Sequence, residues 1–224
     1  AGDDLQLTLS PDGTAIAFAV LRLNSDLWTL PVDPETAQPT GPPEALVATT
    51  REDSRGAWSF DGSMLAFNSD RSGEMNLWLL DLSDGSTRQL TRGPGGDYQP
   101  QFAADGASLV FFSARAGNND VWLLDLSNEA LTQLTDQPGL DMNPFFSPDG
   151  QWIAYYSDAD GRLEVWLMRP DGSAKRPITS FGVSGHFLLW ADDSRSLIVR
   201  TGSSGQFKIF RVEVETGQRT ELRP

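Results

Sequence analysis

The chain repeats one short turn five times at a nearly constant interval. The turn is Ser-Pro-Asp-Gly in its fullest form. The last residues of the five turns are spaced by 49, 44, 44 and 44 residues, and they are Gly13, Gly62, Gly106, Gly150 and Ser194. A column of large aromatic residues keeps nearly the same spacing and consists of Trp28, Trp78, Trp122, Trp166 and Phe210. A unit of this length that recurs along a whole chain is typical of proteins whose units bury their apolar faces on their neighbours.

Each unit is predicted to contain four short strands. An apolar triplet such as Leu65-Ala66-Phe67 follows the turn, the aromatic column marks the third strand, and a Leu-Thr pair marks the fourth. No segment has the 3.6-residue apolar period of a helix. We therefore predict an all-β chain that forms a β-propeller of five four-stranded blades, with part of a six- or seven-bladed propeller as the alternative. The single domain would cover 1–224, with repeats at approximately 4–47, 53–91, 97–135, 141–179 and 185–223.

The ends of the chain are predicted to meet at one blade boundary. The chain would enter on an inner strand of the first blade and leave on the outer strand of the fifth. Closure of the ring would then depend on apolar packing between these two blades, and we expect Trp28 and Phe210 to contribute to it.

The charge balance argues against nucleic acid as a partner. The chain carries 31 acidic and 17 basic residues, a net charge of -14, and has no basic run interleaved with aromatic residues. No apolar run is long enough to span a membrane, so no membrane insertion is expected. No signal peptide is visible at the start of the sequence, and the absence of cysteine leaves the compartment undecided between periplasm and cytoplasm.

The sequence contains few residues of the kinds that most enzymes use. His186 is the only histidine, so a histidine-rich metal site is excluded and a Ser-His-Asp triad would depend on this residue. No glycine-rich turn opens a helix, which excludes the usual phosphate-binding loop. We predict that the chain is not an enzyme. A hydrolase or lyase that works with carboxylates stays as the alternative.

Four aspartates recur at one place in the repeat, six residues before the first residue of each turn. The fifth unit has Gly185 there, and the aspartates are Asp4, Asp53, Asp97 and Asp141. This place begins the innermost strand, so the four carboxylates should surround one mouth of the central channel. Arg22, Arg71 and Arg115 lie in turns predicted to emerge on the same face.

Three interpretations of the carboxylate ring stay open. The aspartates and arginines can pair and join neighbouring blades, the mouth can bind basic or amide groups of a peptide, or it can hold a cation such as calcium. We predict no resident cofactor. The predicted binding residues are the four aspartates with Tyr98 and His186 on the rim.

The repeat resembles that of TolB-like propellers, which are relatives of WD repeats. The fourth unit carries most of the resemblance, with Asp141-Met142-Asn143-Pro144, the turn at 147–150, Val165-Trp166 and Ile178-Thr179. The resemblance extends from about residue 4 to residue 222. It implies a monomeric, periplasmic scaffold that binds a protein or peptide partner. It also leaves open the propeller part of a larger hydrolase or of a sensor protein.

Overall fold

The fold was analysed in a computed structural model of the chain, which describes residues 8–21, 25–185, 187–202 and 207–222. The described residues form twenty strands in five antiparallel sheets of four, and no helix occurs among them. The first sheet contains β1 (Thr8–Leu9), β2 (Ala15–Leu21), β3 (Ser25–Pro31) and β4 (Glu44–Val47). The second contains β5 (Asp53–Trp58), β6 (Met64–Ser69), β7 (Asn76–Asp81) and β8 (Thr87–Gln89).

The remaining three sheets follow the same order along the chain. The third contains β9 (Asp97–Phe102), β10 (Ser108–Ser113), β11 (Asp120–Asp125) and β12 (Leu131–Gln133). The fourth contains β13 (Asp141–Phe146), β14 (Ile153–Ser157), β15 (Glu164–Met168) and β16 (Arg176–Pro177). The fifth contains β17 (Leu188–Trp190), β18 (Ser196–Thr201), β19 (Lys208–Glu213) and β20 (Arg219–Leu222).

These five sheets are the blades of a β-propeller, as the period of the sequence predicts. Within each sheet consecutive strands are neighbours, and from the first sheet to the fifth the first strand of each contacts the first strand of the next. The first strands are therefore the innermost ones. The predicted all-β class and the five four-stranded blades are confirmed.

The turns between first and second strands have the conformation that their residues favour. Gly62 and Gly150 adopt φ angles of 71° and 68°, in the left-handed region that glycine tolerates best. The Asp61 side chain accepts hydrogen bonds from the Ser59 hydroxyl, at 2.7 Å, and from the Ser63 amide, at 3.0 Å. The Ser59 hydroxyl is the largest cause that lowers the pKa of Asp61 to about 2. The turn aspartates are thus accounted for by local hydrogen bonds.

The innermost strands of the second, third and fourth blades share an irregularity. The register with the second strand shifts after Ser54, after Tyr98 and after Met142. The next residues, Gln99 and Asn143 in the third and fourth blades, have φ angles of 57° and 52°. The shift is a β-bulge, which turns the strand and increases its twist at the channel. The sequence analysis did not predict it.

Four apolar clusters join consecutive blades, from the first to the second up to the fourth to the fifth. Phe210 belongs to the cluster between the fourth and fifth blades, and Trp28 is half-buried. No apolar cluster of the described residues joins the fifth blade to the first. The part expected of Phe210 in this closure is wrong, because Phe210 is on the face that packs against the fourth blade. The closure itself and the contribution of Trp28 stay predictions.

Several described apolar residues of the two terminal blades are exposed. Leu189 is 49% exposed and Ile209 is 38% exposed, whereas Val165, one repeat before Ile209, is completely buried. In the first blade, Leu9 is more than half exposed. Both faces carry residues of the kind that pack between blades elsewhere in the molecule.

Candidate functional site

The carboxylate ring predicted from the sequence lies where the innermost strands begin. Asp53, Asp97 and Asp141 are the first residues of β5, β9 and β13, and all three side chains are buried. We call this end of the channel the mouth. Two other predicted site residues, Asp4 and His186, lie outside the described residues.

Asp53 and Asp97 are neutralised by arginines of their own blades. The Arg71 Nη2 donates to Asp53 Oδ1 at 2.6 Å. In the next blade, the Arg115 Nη2 lies 2.6 Å and 2.7 Å from the two carboxylate oxygens of Asp97. Each arginine comes from the turn that follows the second strand, as predicted for this face. These two carboxylates are therefore paired, as one of the three interpretations of the ring expected, but each pair lies within one blade and does not join neighbouring blades.

Each of the two arginines is held by the same set of neighbours, which we call the arginine cage. In the second blade, Arg71 Nε donates to the Ser69 hydroxyl at 3.0 Å. Its guanidinium carbon lies 5.1 Å from the centroid of the Phe67 ring and 4.8 Å from that of Trp78. These distances permit cation–π attraction.

The third blade builds the same cage around Arg115. The Nε atom donates to the Ser113 hydroxyl at 3.3 Å, and the guanidinium carbon lies 5.7 Å from the Phe111 ring and 5.3 Å from the Trp122 ring. A carboxylate, a hydroxyl and two aromatic rings thus bind a guanidinium group in two consecutive blades.

The fourth blade departs from this arrangement at one residue. Ala159 occupies the position of Arg71 and Arg115, two residues after the last serine of the second strand. The Asp141 side chain is only 1% exposed, and neither of its carboxylate oxygens has a hydrogen bond of normal length, although the Ser157 and Thr135 hydroxyls lie near enough to interact with it. Burial is the largest cause that raises the pKa of Asp141, against smaller lowering contributions from the Ser157 and Thr135 hydroxyls. Asp141 is therefore the carboxylate of this ring that is buried without a cation.

Two further buried acids lie near the mouth, at the start of third strands. Asp120 begins β11 and accepts hydrogen bonds from Gln133 Nε2 at 3.0 Å and from the Thr135 hydroxyl at 3.3 Å. Its pKa is raised, first by burial and also by the charge of Asp141. Glu164 begins β15 and accepts from the Thr179 hydroxyl at 2.6 Å. The analysis of the sequence missed both, although each stands at one fixed place before its tryptophan.

Tyr98 is less accessible than its place next to Asp97 predicted. Its ring stacks on Phe112, with centroids 5.4 Å apart, and a side chain at Gly96 would collide with it. Burial, followed by the charges of Glu52 and Asp97, raises the pKa of the Tyr98 hydroxyl. Leu140, directly before Asp141, is 41% exposed and is therefore more accessible at the mouth than Tyr98.

The opposite end of the channel carries a groove between the first and second blades. It has a volume of about 770 Å³ and is lined by residues that include Leu9, Trp58 and Phe60. Phe60 replaces the proline of the turn and is 70% exposed. No group of three acidic or histidine side chains within the described ranges is arranged to hold a metal ion. The described part of the chain also has no helix long and apolar enough to cross a membrane.

Solved structures with the same fold share little sequence with the chain. TolB from Acinetobacter baumannii superimposes with a TM-score of 0.84 at 18% identity, over 97% of this chain and 53% of that one. A putative TolB from Agrobacterium tumefaciens gives 0.82 at 22%, over 97% and 79%. A puromycin-hydrolyzing peptidase from Mycobacterium tuberculosis gives 0.74 at 19%, over 98% and 38%. At these identities the similarity shows the fold alone.

The family of the chain follows from its sequence. No curated protein matches it. The chain spans about half the length of the Acinetobacter TolB. The model of the TolB beta propeller domain matches residues 8–122 and 94–223, which together cover nearly the whole chain. The chain therefore belongs to the TolB beta propeller domain family.

Proposed function

We propose that the protein is a non-enzymatic binding module that holds a segment of a protein partner at the mouth, in the periplasm. The proposal rests on a difference between the buried carboxylates of the mouth, only some of which are paired with an arginine. Asp53 and Asp97 are paired with arginines, whereas Asp141 is buried without a cation, beside the exposed Leu140. A site with one unneutralised carboxylate and an adjacent apolar side chain suits a polypeptide that offers both a basic and an apolar group.

The electrostatics of the chain also favour such a partner. With a net charge of -14, the protein attracts basic segments and repels polyanions. Because the attraction due to the net charge acts through solvent, it should weaken as salt is added. The periplasmic location rests on membership of the TolB beta propeller family.

Binding has more support than carboxylate-based hydrolysis. Catalysis by two carboxylates needs one acid and one base or nucleophile that are both free to react. At the mouth, Asp53 and Asp97 are engaged by arginines, and Asp120 and Glu164 accept hydrogen bonds from hydroxyl groups. The acids of the mouth are thus mostly committed to structural contacts.

Photo-cross-linking from two exposed apolar positions tests the proposal. A photoreactive amino acid replaces Leu140 at the mouth or, as the matched control, Phe60 at the opposite end of the channel. Both variants are irradiated in an extract of the source cell. We expect a discrete polypeptide adduct from position 140 that is absent from position 60 and fades as salt rises. Adducts from position 60 alone would move the site to the groove at the other end, and no discrete adduct from either position would contradict the proposal.

A further inference from the structure

We propose that the fourth blade is a receptor for a guanidinium group, which an arginine side chain of the bound polypeptide supplies. The site consists of Asp141, Ser157, Tyr155 and Trp166. The inference rests on the proposed function and deepens it, because it names the chemical group that the mouth recognises.

The cages of the second and third blades are the template for this site. In both, the aspartate pairs in register with the serine that ends the second strand, Asp53 with Ser69 and Asp97 with Ser113. The fourth blade places Asp141 opposite Ser157 in the same way. The three blades thus share one geometry for the carboxylate and the hydroxyl.

The fourth blade also has two aromatic residues at the positions of the aromatic rings in the cages of the second and third blades. Phe67 pairs with Trp78, Phe111 with Trp122, and Tyr155 with Trp166. Tyr155 adds a hydroxyl group, and its pKa is raised by burial and by the charge of Asp141, so the hydroxyl stays protonated at neutral pH. Two rings therefore remain to contact the faces of a planar cation.

The backbone at Ala159 makes the same hydrogen bond as the backbone at the equivalent Arg71. The Ala159 amide donates to the Ser157 hydroxyl at 3.3 Å, as the Arg71 amide does to Ser69 at 3.3 Å. Only the side chain that would carry the guanidinium is absent. Arg71 and Arg115 keep 17% and 14% of their side chains exposed, so the guanidinium of a cage lies at the surface of the mouth. In the fourth blade the carboxylate oxygens of Asp141 are closed to solvent, so a guanidinium from another molecule would reach the same position only after the side chains around Asp141 move apart.

No other cation of the described residues pairs with Asp141. Arg162 donates to Glu164 at 2.8 Å, and Lys175 donates to the Gly172 carbonyl at 2.7 Å. The charges of Asp120 and Asp158 add to the negative potential around Asp141, and the charge of Lys175 partly offsets it. A buried carboxylate in such a field is costly without a partner. A cation that pairs with it would remove this cost.

The shape of the cage selects arginine over other cations. Guanidinium is planar, has donors on Nε and both Nη atoms, and stacks on aromatic rings, whereas the ammonium of lysine is compact and strongly hydrated. The serine hydroxyl, the carboxylate and the rings match these donors and faces in the two filled cages. We therefore expect discrimination against lysine as well as against neutral side chains.

The experiment measures binding of three short peptides to the whole chain by calorimetry. The peptides are acetyl-Gly-Xaa-Gly-amide with arginine, lysine or citrulline at Xaa, where citrulline has nearly the shape of arginine without its charge. We expect the arginine peptide to bind at least about tenfold more tightly than the citrulline peptide. The Asp141→Asn variant should lose this preference. Equal binding of the two peptides, or no binding of the arginine peptide at millimolar concentration, would overturn the inference.

A second experiment places an arginine of the protein itself in the cage of the fourth blade. Ala159→Arg should occupy the site with its own guanidinium, abolish binding of the arginine peptide and raise the melting temperature by about 2–4 °C. Ala159→Gln, of similar length but uncharged, is the matched control and should not raise it. A lower melting temperature for Ala159→Arg than for Ala159→Gln would show that the fourth blade does not form the cage.

The two proposals fail in different ways. If the arginine peptide does not bind but the photoreactive group at position 140 still captures a partner, the mouth binds protein and the guanidinium site is wrong. If the arginine peptide binds and position 140 captures nothing, the cage stands and the protein-binding role of the mouth is wrong.

Discussion

At the scale of single residues, the identity of one side chain in a turn decides the state of an aspartate more than 15 residues away in sequence. Asp97 and Asp141 stand at the same position of consecutive repeats and are both buried. Asp97 meets Arg115, whereas Asp141 has Ala159 at the equivalent place. The same residue type should therefore have opposite effects on stability in the two blades.

Replacing each aspartate by asparagine tests this difference. Asp97→Asn breaks a partly buried ion pair and leaves Arg115 without its carboxylate, so we expect a loss of about 2 kcal/mol in the free energy of unfolding. Asp141→Asn removes a buried charge that has no partner, and we expect no loss or a gain. Urea unfolding at pH 7 measures both. A similar, large loss for the two variants would mean that Asp141 also has a structural partner.

The pH dependence of stability gives an independent measure of Asp141. Burial raises the pKa of this group in the folded state, so the folded protein binds the proton more tightly than the unfolded chain does. Asp141 therefore lowers the free energy of unfolding as the pH rises from 3.8, the pKa of the group in the unfolded chain, through its raised pKa in the folded protein. Above that folded-state pKa its effect is constant. The advantage of Asp141→Asn over the wild type should therefore be largest at neutral pH and shrink towards pH 4. Unfolding curves at both pH values, with Asp97→Asn as the control, measure it, and an advantage that grows on acidification would contradict the assignment.

At this scale the sequence predicted where the acids lie but not which of them are paired. The position of Asp53, Asp97 and Asp141 at the mouth followed from the repeat, because a fixed offset from a turn is a fixed place on a strand. The difference between them depends on Ala159, whose significance appears only when the side chains of Ser157 and Asp141 are seen opposite each other. Asp120 and Glu164 recur at one place, two residues before the tryptophan, and this repeated position was the signal that could have identified them.

At the scale of the strands, the tryptophan column combines two roles. Trp122 packs against the apolar cluster between the second and third blades, and one face of its indole lies under the Arg115 guanidinium. Its position between blades is that of a residue that packs adjacent sheets together. The contact with arginine was not predicted, because it depends on the path of a turn.

Trp122→Ala should reduce stability through lost burial and a cavity. Full burial of a tryptophan would put the cost at about 3–5 kcal/mol, and because Trp122 is only half-buried we expect about 2–3 kcal/mol. Urea unfolding measures the change, with Leu131→Ala on the exposed outer strand as the matched control. If the two variants unfold at the same urea concentration, the column has no role in holding the blades together.

The strands and turns were predictable in a way that the bulges were not. Gly62 and Gly150 are residues that a positive φ selects, so the sequence marks those turns. The bulge residues Gln99 and Asn143 have positive φ angles without glycine. Such a backbone state is imposed by packing around the channel, which local residue preferences do not report.

At the scale of the whole molecule, the blades are joined only to their neighbours. Each apolar cluster is shared by two consecutive blades, and none of those among the described residues is shared by three. Among the described residues, the second, third and fourth blades thus belong to two clusters each, and the first and fifth to one. Stability should follow this order, since energies in repeat architectures are approximately sums over neighbouring contacts.

Hydrogen exchange of backbone amides should reveal this gradient. We expect the slowest exchange in β6, β10 and β14, and faster exchange in β2 and β18, because the terminal blades open at lower cost. Mass spectrometry of peptides from each second strand compares equivalent segments, which is the internal control. Uniform protection in all five blades would contradict the order and would indicate that the first and fifth blades stabilise each other in solution.

The open faces of the first and fifth blades also have an evolutionary consequence. Every boundary between blades uses one kind of interface, and the exposed Leu189 and Ile209 present that interface again at the end of the series. A duplication or loss of one 44-residue unit in the gene would create no contact of a new type. Selection can therefore change the number of blades, and with it the width of the channel, in whole steps while the fold of each unit stays the same.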